Sequence, residues 1–357
     1  MVLGVGGAGS NAVNHMHTLG IDNVVLAICN TDRQALQYSD ISIKIQLGDG
    51  DGAGNNPDVA RQAVLKSLDE ITGTLNREGT KMLFLAAGMG GGTGTGASAA
   101  IAKAAKDMGI LTVAIVSLPL MGEGPKRVNQ AKKGLEELRQ EVDSLVIVQN
   151  DNIPKIYGDL PFEEALGKAD EILALSAKSI SEIISRHHRI NVDLADVRTV
   201  MLDSGLALMG TARARGENCI EEVVNQTLNS PLLNYKNIRG AKNVLFNLSH
   251  GPNSGYTMNM HTQLLDMIQR NASGDSDSRD SNIIPGSGLR EDLGDEIELT
   301  VIATGFSDLP DDKAENSKKQ SSVKKKRESN ESIISSLIRK SKERLNQILE
   351  SAEDVTI

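Results

Sequence analysis

The chain has 357 residues, which at ~150 residues per domain suggests two or three domains. Tryptophan is absent, and four Tyr and four Phe make up only 2% of the chain, so a core must be aliphatic and a nucleic-acid binder that stacks bases on aromatic rings is disfavoured. The first 306 residues contain 27 basic and 37 acidic residues, and this acidic body also argues against nucleic acid as a partner.

Hydrophobic residues make up 39% of the chain and charged residues 24%, which argues against global disorder. Because no apolar run reaches the ~18 residues of a membrane span, and no signal-peptide pattern follows Met1, we expect a cytoplasmic protein without a transmembrane segment. Cys29 and Cys219 lack the spacing of a metal site, so each is interpreted as a small buried hydrophobe.

Short apolar runs alternate with helical patterns in the first half of the chain. The helical patterns include 58–72 and 97–106. This alternation predicts an α/β fold with a doubly wound, mostly parallel sheet, whose ligand crevice lies beyond the carboxyl ends of the strands. The runs that predict strands buried on both faces are 23–29, 81–87, 111–116 and 144–148.

The second half of the chain predicts a different organisation. A long helix is expected from 161 to about 187, a further helix over about 195–212, and strands at 243–247 and 296–303. The last 51 residues are rich in charge, and Ile334, Leu337 and Leu345 lie on one helical stripe flanked by basic residues. The predicted division is a glycine-rich domain at 1–160, a central helix at 161–187, a smaller α+β domain at 188–306, a flexible charged linker at 307–330 and an amphipathic tail at 331–357.

Glycine is concentrated at the start of the chain, since 20 of the 34 glycines lie in the first 124 residues. The first cluster, Gly4 to Gly9, fits the dinucleotide pattern GxGxxG, and Asp32 follows near the end of the second predicted strand. By itself this pattern is weak. It leaves open an NAD-binding dehydrogenase and a purely structural turn.

The second glycine cluster, Gly88 to Gly96, is more specific. Its glycines remove side chains from a turn between a strand and a helix, so that backbone N–H groups and the helix dipole can face an anion, and Thr93 and Thr95 can add hydroxyls. A second phosphate cradle is redundant for NAD but useful for a triphosphate. It is not a Walker A loop, because no Lys-Ser or Lys-Thr follows the glycines.

A third glycine cluster, Gly48 to Gly54, alternates with aspartate and suggests a calcium loop. An EF-hand beginning at Asp49 would need an oxygen ligand at Ala53 and a glutamate at Ala60, so calcium is rejected. The preferred interpretation is a mobile loop near the phosphates that leads through Asn56, as N-cap, into a helix.

The run Gly90 to Gly96 resembles the signature of the tubulin/FtsZ superfamily, and further segments narrow the resemblance to the FtsZ family over about residues 1–306. The resemblance implies GTP and GDP binding, head-to-tail assembly into a homopolymer, GTP hydrolysis at the junction between subunits, and a place in the cell-division ring at mid-cell, beneath the membrane. The segments that narrow it are Gly4 to Val13, Asn30 to Asp32, Gly124 to Arg127, Asn150-Asp151, Asn191 to Met201 and Asn229 to Leu233.

The resemblance also assigns nucleotide contacts. Guanine presents two adjacent donors that a carboxylate such as Asp170 can accept, although a solvated helix charge is the alternative. Ala8, Ser10 and Leu166 depart from the family pattern, Leu166 standing where an aromatic residue usually stacks on guanine. The implied contacts are Gly6, Gly7, Ala8, Gly9, Ser10 and Asn11 in the first loop; Gly90, Gly91, Gly92, Thr93, Gly94 and Thr95 at the phosphates; Glu123 and Arg127 at ribose and phosphate; and Asn150, Leu166 and Asp170 at the base.

Hydrolysis would come from a neighbouring subunit. The resemblance implies that Asp193 and Asp196 complete the neighbour's site by orienting water, with a hydrated Mg²⁺ for which no protein ligand is assigned. From spacing alone, Asp193 as N-cap and Asp196 at N3 of a capping box is the stronger interpretation, and both roles can coexist. The tail at 331–357 is expected to dock a division protein or membrane tether, with direct lipid binding as the alternative.

Two other function classes compete with this prediction. An NAD-binding dehydrogenase would need an acid or base for hydride transfer, and the six histidines show no such arrangement. A nucleotide-binding scaffold that does not hydrolyse would lack useful carboxylates after the long helix, where Asp193 and Asp196 are present.

Overall fold

The structure is a computed structural model that describes residues 1–20, 24–185, 190, 192–229, 238–273 and 281–306. At 162, 166, 169, 184 and 185 only the backbone is described. The predicted linker at 307–330 and tail at 331–357 lie outside the described residues.

The described chain alternates strands and helices through its first half. The strands are β1 (Val2–Val5), β2 (Leu26–Asn30), β3 (Ile43–Gln46), β4 (Met82–Gly88), β5 (Leu111–Leu118), β6 (Ser144–Gln149), β7 (Gly205–Arg215), β8 (Asn243–His250), β9 (Asn282–Leu289) and β10 (Glu296–Thr304). The α-helices are α1 (Gly6–Thr18), α2 (Arg33–Gln37), α3 (Pro57–Lys66), α4 (Leu68–Arg77), α5 (Thr93–Asp107), α6 (Pro125–Glu141), α7 (Ile153–Tyr157), α8 (Phe162–Ser185), α9 (Leu194–Met201), α10 (Cys219–Leu228) and α11 (Met258–Ser273).

All ten strands belong to one sheet in the order β3-β2-β1-β4-β5-β6-β7-β10-β8-β9. Strands β1 to β7 pair in parallel, β10 is antiparallel to β7 and β8, and β9 is parallel to β8. The first six strands have the doubly wound order whose direction of winding reverses between β1 and β4. The predicted mixed α/β fold with a mostly parallel sheet is therefore confirmed.

The four apolar runs of the first half form β2, β4, β5 and β6, as predicted. They are buried along nearly their whole length because helices cover both faces of the sheet. Helix α8 supplies Leu173, Ile180 and Ile183 to the same apolar cluster as Val113 and Val146. The core is aliphatic, and both cysteines are buried within it as expected.

Two helices begin earlier than the sequence suggests. Helix α5, predicted from 97, begins at Thr93, and α1 begins at Gly6, inside the first glycine cluster. Glycine is a poor residue in a helix interior, so the pattern places the glycines in loops. In the structure, they form the first turns of both helices instead.

The predicted helix over 58–72 is two helices, α3 and α4, which meet at Ser67. The Ser67 hydroxyl donates to the carbonyl oxygen of Gln46 and accepts from the N–H of Gly48, both at 3.2 Å. These bonds tie the break to the loop after β3. The predicted cap of α3 is confirmed, because Asn56 Oδ1 accepts from the N–H of Asp58 and Pro57 is the first helical residue.

The predicted helix over 195–212 is wrong in its second half. Helix α9 ends at Met201, and Gly205 begins the buried strand β7. Asp203 and Gly205 both have positive φ, 46° and 69°, which a helix does not accommodate. Strand β9 and helices α10 and α11 were not predicted.

Candidate functional site

Both principal glycine clusters lie at the carboxyl edge of the sheet, where the strand order reverses. Helix α1 follows β1 directly, and α5 follows β4 after Gly92. Within the described chain, neither helix has a side-chain N-cap hydrogen bond or an acidic residue in its first turn. Two helix N-termini therefore leave backbone N–H groups and partial positive charge for an anion at this edge.

Close backbone packing holds these two turns against their strands. A Cβ added at Gly94 would lie 2.3 Å from the carbonyl oxygen of Gly88, and one at Gly9 would lie 2.2 Å from that of Ala86. At Gly7 and Gly91, by contrast, the space where a Cβ would point is open for 4 Å. Gly9 and Gly94 thus shape the site, and Gly7 and Gly91 leave room for a ligand.

A cavity of about 270 Å³ lies between the two helix N-termini. It brings together nine of the residues predicted to contact the nucleotide. They are Gly7, Ala8, Gly91, Gly92, Thr93, Gly94, Glu123, Arg127 and Asn150. The sequence prediction missed the other lining residues, Val5, Gly88, Met89, Ser117, Leu118 and Pro119. The last three follow the same rule as the glycines, since they lie at or just after the carboxyl end of a neighbouring strand.

Glu123 and Arg127 form one charged edge of the cavity. Nη1 of Arg127 lies 3.0 Å from Oε2 of Glu123, and Oε1 of Glu123 accepts from the N–H of Leu120 at 2.8 Å. The stem of Arg127 also contacts Gly90, where an added Cβ would lie 3.0 Å from Cγ of the arginine. The guanidinium is therefore held beside residues 89–92, the predicted phosphate loop between β4 and α5, while remaining about half exposed.

Two of the predicted contacts, Asn11 on α1 and Asp170 on α8, have neighbouring side chains. Burial raises the pKa of the Asp170 carboxyl to about 6, and the Asn11 side chain opposes that rise by stabilising the ionised form. Leu166 lies on the same helix, but its side chain is outside the described residues.

Two buried polar atoms near the site have no hydrogen-bond partner in the described chain, Oγ of Ser10 and Oδ1 of Asn150. An unsatisfied buried polar atom costs free energy, so such atoms call for a partner that is not part of the folded chain alone. Asn150 lines the cavity, and its orphaned oxygen fits a ligand that donates hydrogen bonds.

Thr95 differs from its expected phosphate contact. It is 3% exposed, and its Oγ1 accepts from the N–H of Gly90 at 2.8 Å, so it shapes the phosphate loop from within. Thr93 does line the cavity, where its hydroxyl lies 2.7 Å from that of Thr31, after β2.

Gln130 on α6 is a site residue that the sequence did not reveal. Its side-chain amide donates to the carbonyl oxygens of Gly90, Gly91 and Asn55 at 3.1, 3.0 and 3.3 Å. One side chain thus joins the phosphate loop to the loop that begins at Gly48. Its position one turn after Arg127 on the same helix is the signal that could have found it.

Asp32 does not act as the pattern GxGxxG would suggest. Its Oδ1 is the N-cap of α2 and accepts from the N–H groups of Gln34 and Ala35 at 2.8 and 3.2 Å. Asp32 therefore has a structural role that does not depend on a dinucleotide.

Asp193 and Asp196 form the capping box that their spacing predicts. Oδ1 of Asp193 accepts from the N–H of Asp196 at 2.9 Å, and Oδ2 of Asp196 accepts from the N–H of Asp193 at 3.0 Å. Each carboxylate thus has one oxygen in the cap, and Asp193 is exposed. The cap fixes the direction of both side chains.

The capping box lies at the opposite edge of the sheet from the glycine loops. Leu194, the first residue of α9, lines a cavity with Met1, Val24 and Met82, which precede or begin β1, β2 and β4. The glycine loops follow the far ends of the same strands. Seven-residue β4 alone spans about 23 Å at ~3.3 Å per residue, so Asp193 and Asp196 are remote from their own chain's cavity.

Comparison with known proteins gives the family of the chain. Residues 1–158 match the family model "Tubulin/FtsZ family, GTPase domain", and residues 205–307 match "FtsZ family, C-terminal domain". The chain is 40% identical over 310 residues to the cell division protein FtsZ of Pseudomonas aeruginosa, covering 85% of this chain and 76% of that protein. The chain belongs to the FtsZ family. Its relatives also include FtsZ of Pseudomonas putida, 42% identical over 310 residues with the same coverage.

Solved structures give the same result. An empty FtsZ dimer from M. jannaschii is similar with a TM-score of 0.77 and 34% identity, over 85% of this chain and 87% of that one. CetZ2 from Haloferax volcanii, at 18% identity and a TM-score of 0.73 over 91% and 98% of the two chains, shares the fold. The FtsZ family comprises self-assembling GTPases of cell division, and residues 1–158 are the GTPase domain of this member.

No described helix combines the length and apolar character that crossing a membrane requires. Among the described residues, no group of three or more His, Cys, Asp or Glu side chains is arranged to hold a metal ion.

Proposed function

We propose that this FtsZ-family protein binds GTP between α1 and α5, assembles head to tail, and hydrolyses the nucleotide at the junction, where Asp193 and Asp196 of one subunit act on the GTP of the next. The observation that carries the proposal is the position of these parts on one sheet. The nucleotide cavity lies at the carboxyl edge and the capping box at the amino edge. Stacking two subunits along the strand direction places one beside the other.

The cavity's chemistry suits a guanine nucleotide. Phosphates would lie on the N–H groups of Gly7, Gly91 and Gly92 at the two helix N-termini, with the Arg127 guanidinium at the edge. At the other end, ionised Asp170 would accept from guanine N1–H and the exocyclic amine, and Asn150 Oδ1 would gain a donor.

Hydrolysis then depends on positioning and charge. Asp193 and Asp196 each retain one oxygen outside the capping box, and these oxygens can accept from a water molecule and hold it in line with the γ-phosphate. A hydrated Mg²⁺, held chiefly by the nucleotide phosphates and water, would neutralise developing charge on the phosphates.

The proposed setting is the division site at mid-cell, in the cytoplasm beneath the membrane, as the relatives' name suggests. The partner is a second copy of the chain. Residues 331–357 would dock a division protein or a membrane tether.

Two inactive variants test the shared site. Gly7→Asp puts a carboxylate into the open space at the helix N-terminus and should abolish GTP binding, whereas Asp196→Ala leaves the cavity intact. Each alone should be inactive, and an equimolar mixture should regain GTP turnover, because the Asp196→Ala subunit's GTP meets an intact Asp196 on its neighbour. Turnover by Asp196→Ala alone, or none in the mixture, would refute the proposal. Turnover per subunit should also rise with protein concentration and light scattering, with ATP and NAD as negative controls.

A further inference from the structure

The last strand of the sheet, β9, holds the segment that leads into the capping box. The N–H of Ile190 donates to the carbonyl oxygen of Ser287, and the N–H of Ser287 donates to that of Ile190, both at 3.1 Å. The opposite side of β9 pairs with β8. The main chain of Ser287 is therefore bonded to a residue only three positions before Asp193.

A second contact fixes the residue next to Asp193. Val192 is 2% exposed, and a Cβ added at Gly286 would lie 3.0 Å from its Cγ2 and 2.8 Å from Oδ1 of buried Asn247. Only a residue without a side chain lets Val192 come this close to the strand. Gly286 thus sets the distance between strand β9 and Val192, just before the capping box.

The other end of α9 is anchored separately. The Thr304 hydroxyl, on β10, donates to the carbonyl oxygen of Val200 at 2.7 Å, and Val197 and Met201 are buried against the sheet. Helix α9 is therefore held at its C-terminal end by β10, while the approach to its N-terminal end is held by β9.

The register of this attachment is restricted by Pro285. Alternate residues of a strand direct their N–H groups to the same side, so Pro285 faces the same outer edge as Ser287 and has no N–H to donate. The approaching chain pairs at Ser287 and cannot make the same pair of hydrogen bonds at Pro285. Among the described residues, the attachment is an isolated bridge between Ile190 and Ser287.

We propose that Gly286 and Ser287 of β9 are positioning residues, which hold Asp193 and Asp196 in the geometry needed to act on a neighbour's GTP. This inference rests on the proposed function of those two aspartates. A displacement of about 1 Å at a reacting group can cost about a hundredfold in rate, so the bridge and the glycine contact control turnover without touching the nucleotide.

Ser287→Pro tests the bridge, because proline removes the N–H that Ile190 accepts while leaving the side of β9 that faces β8 intact. Ile283→Pro is the matched control: it lies on the same outer edge, where no backbone hydrogen bond from its N–H occurs among the described residues. We expect GTP turnover to fall by about tenfold or more in Ser287→Pro and to change by less than about twofold in Ile283→Pro. GTP affinity, measured below the assembly concentration, should be unchanged in both.

A mixture separates positioning from general damage. Ser287→Pro has an intact nucleotide cavity and Gly7→Asp an intact capping box, so the two together should regain turnover. Equal loss in the two proline variants, a fall in GTP affinity, or no recovery in the mixture would overturn the inference. If Ser287→Pro does not fold, Gly286→Ala, which displaces Val192 without removing a hydrogen bond, should give the same pattern.

The Asp196→Ala variant distinguishes failure of the shared hydrolysis site from failure of the positioning role of Gly286 and Ser287. If Asp196→Ala recovers with Gly7→Asp but Ser287→Pro and Gly286→Ala retain normal turnover, the positioning role fails and the shared site stands. If Asp196→Ala alone is active, or does not recover in the mixture, the shared site fails and the positioning role falls with it.

Discussion

The Asn11 side chain stabilises the ionised carboxyl of Asp170, although 159 positions separate the two residues in the sequence. This contact joins helix α1, where we propose that phosphate binds, to the long helix α8, where we propose that the base binds. The two proposed ends of the nucleotide site are consequently connected through one pair of side chains.

The first prediction concerns pH. Burial raises the pKa of Asp170 to about 6 in the nucleotide-free protein, and only the ionised carboxylate can accept both guanine donors. Affinity for GTP should therefore be constant above pH 7 and fall by up to about tenfold per pH unit below 6. Asp170→Asn should bind more weakly at pH 7.5 and lose this dependence. Titration calorimetry between pH 5 and 8 measures both, and a wild-type profile parallel to that of Asp170→Asn would contradict the assignment.

The second prediction separates charge from size at the first helix N-terminus. Gly7→Asp and Gly7→Asn add nearly equal volume to open space, but only aspartate puts negative charge beside the phosphates. Both variants should fold with similar melting temperatures. Gly7→Asn should retain measurable GTP binding, whereas the affinity of Gly7→Asp should be at least about tenfold lower still and fall below detection. Equal affinities would show that phosphate does not lie at this turn.

The third prediction concerns Gln130. Its replacement by leucine removes the donor shared by three loop carbonyl oxygens and should weaken GTP binding by about 1–3 kcal/mol. Asn129→Leu, on the exposed side of the same helix, is the control and should leave affinity within about 0.5 kcal/mol. Equal affinities in the two leucine variants would show that the amide does not support the phosphate loop.

The fourth prediction concerns the stability of the contact between α5 and the residues that precede β6 and β7. Lys106 lies 3.2 Å from Oδ1 of Asp143, which is 1% exposed, and 2.7 Å from Oδ1 of Asp203. Lys106→Met leaves the Asp143 carboxylate buried without its cation, and should lower the free energy of unfolding by about 3 kcal/mol.

Lys103→Met is its control, because the ion pairs of Lys103 are longer, 3.8 and 3.9 Å, and more exposed. Lys103→Met should lower the free energy of unfolding by less than about 1 kcal/mol. Urea unfolding followed by circular dichroism measures both variants. Adding Asp143→Asn to Lys106→Met should recover part of the lost stability, and equal losses in the two single lysine variants would contradict a buried ion pair.

Much of the first half of the fold follows from local sequence. Strands buried on both faces are continuous apolar runs, and 81–87 and 111–116 could be assigned for that reason. The helix starts predicted at the glycine clusters are wrong because glycine has a low helix propensity. Close packing of Gly94 on Gly88 nevertheless requires glycine there. The helix break at Ser67 depends on the distant Gln46 and Gly48, which no local pattern contains.

The second half of the fold is harder to predict from sequence, because contacts between distant residues also decide its elements. The apolar sequence from Leu206 to Met209 suits a helix or a strand, and its pairing with β6 and β10 decides between them. Pro285 and its neighbouring glycine make β9 resemble a loop, although an edge strand tolerates proline. In the site, the glycine clusters could be found from sequence, but Gln130 acts through contacts that exist only after folding.

The placement of the nucleotide cavity and the capping box on opposite edges of one sheet makes the two ends of an assembled row chemically different. The terminal subunit at one end would carry GTP that no neighbour's aspartates reach, and the terminal subunit at the other would present Asp193 and Asp196 to solvent. In the proposed assembly, a subunit added at the first end would bring its own GTP to the tip and its aspartates to the GTP of the subunit it joins. A subunit added at the other end would instead have its own GTP reached at once by the aspartates already exposed there. Strand polarity of a single sheet would thereby decide at which end unhydrolysed GTP persists.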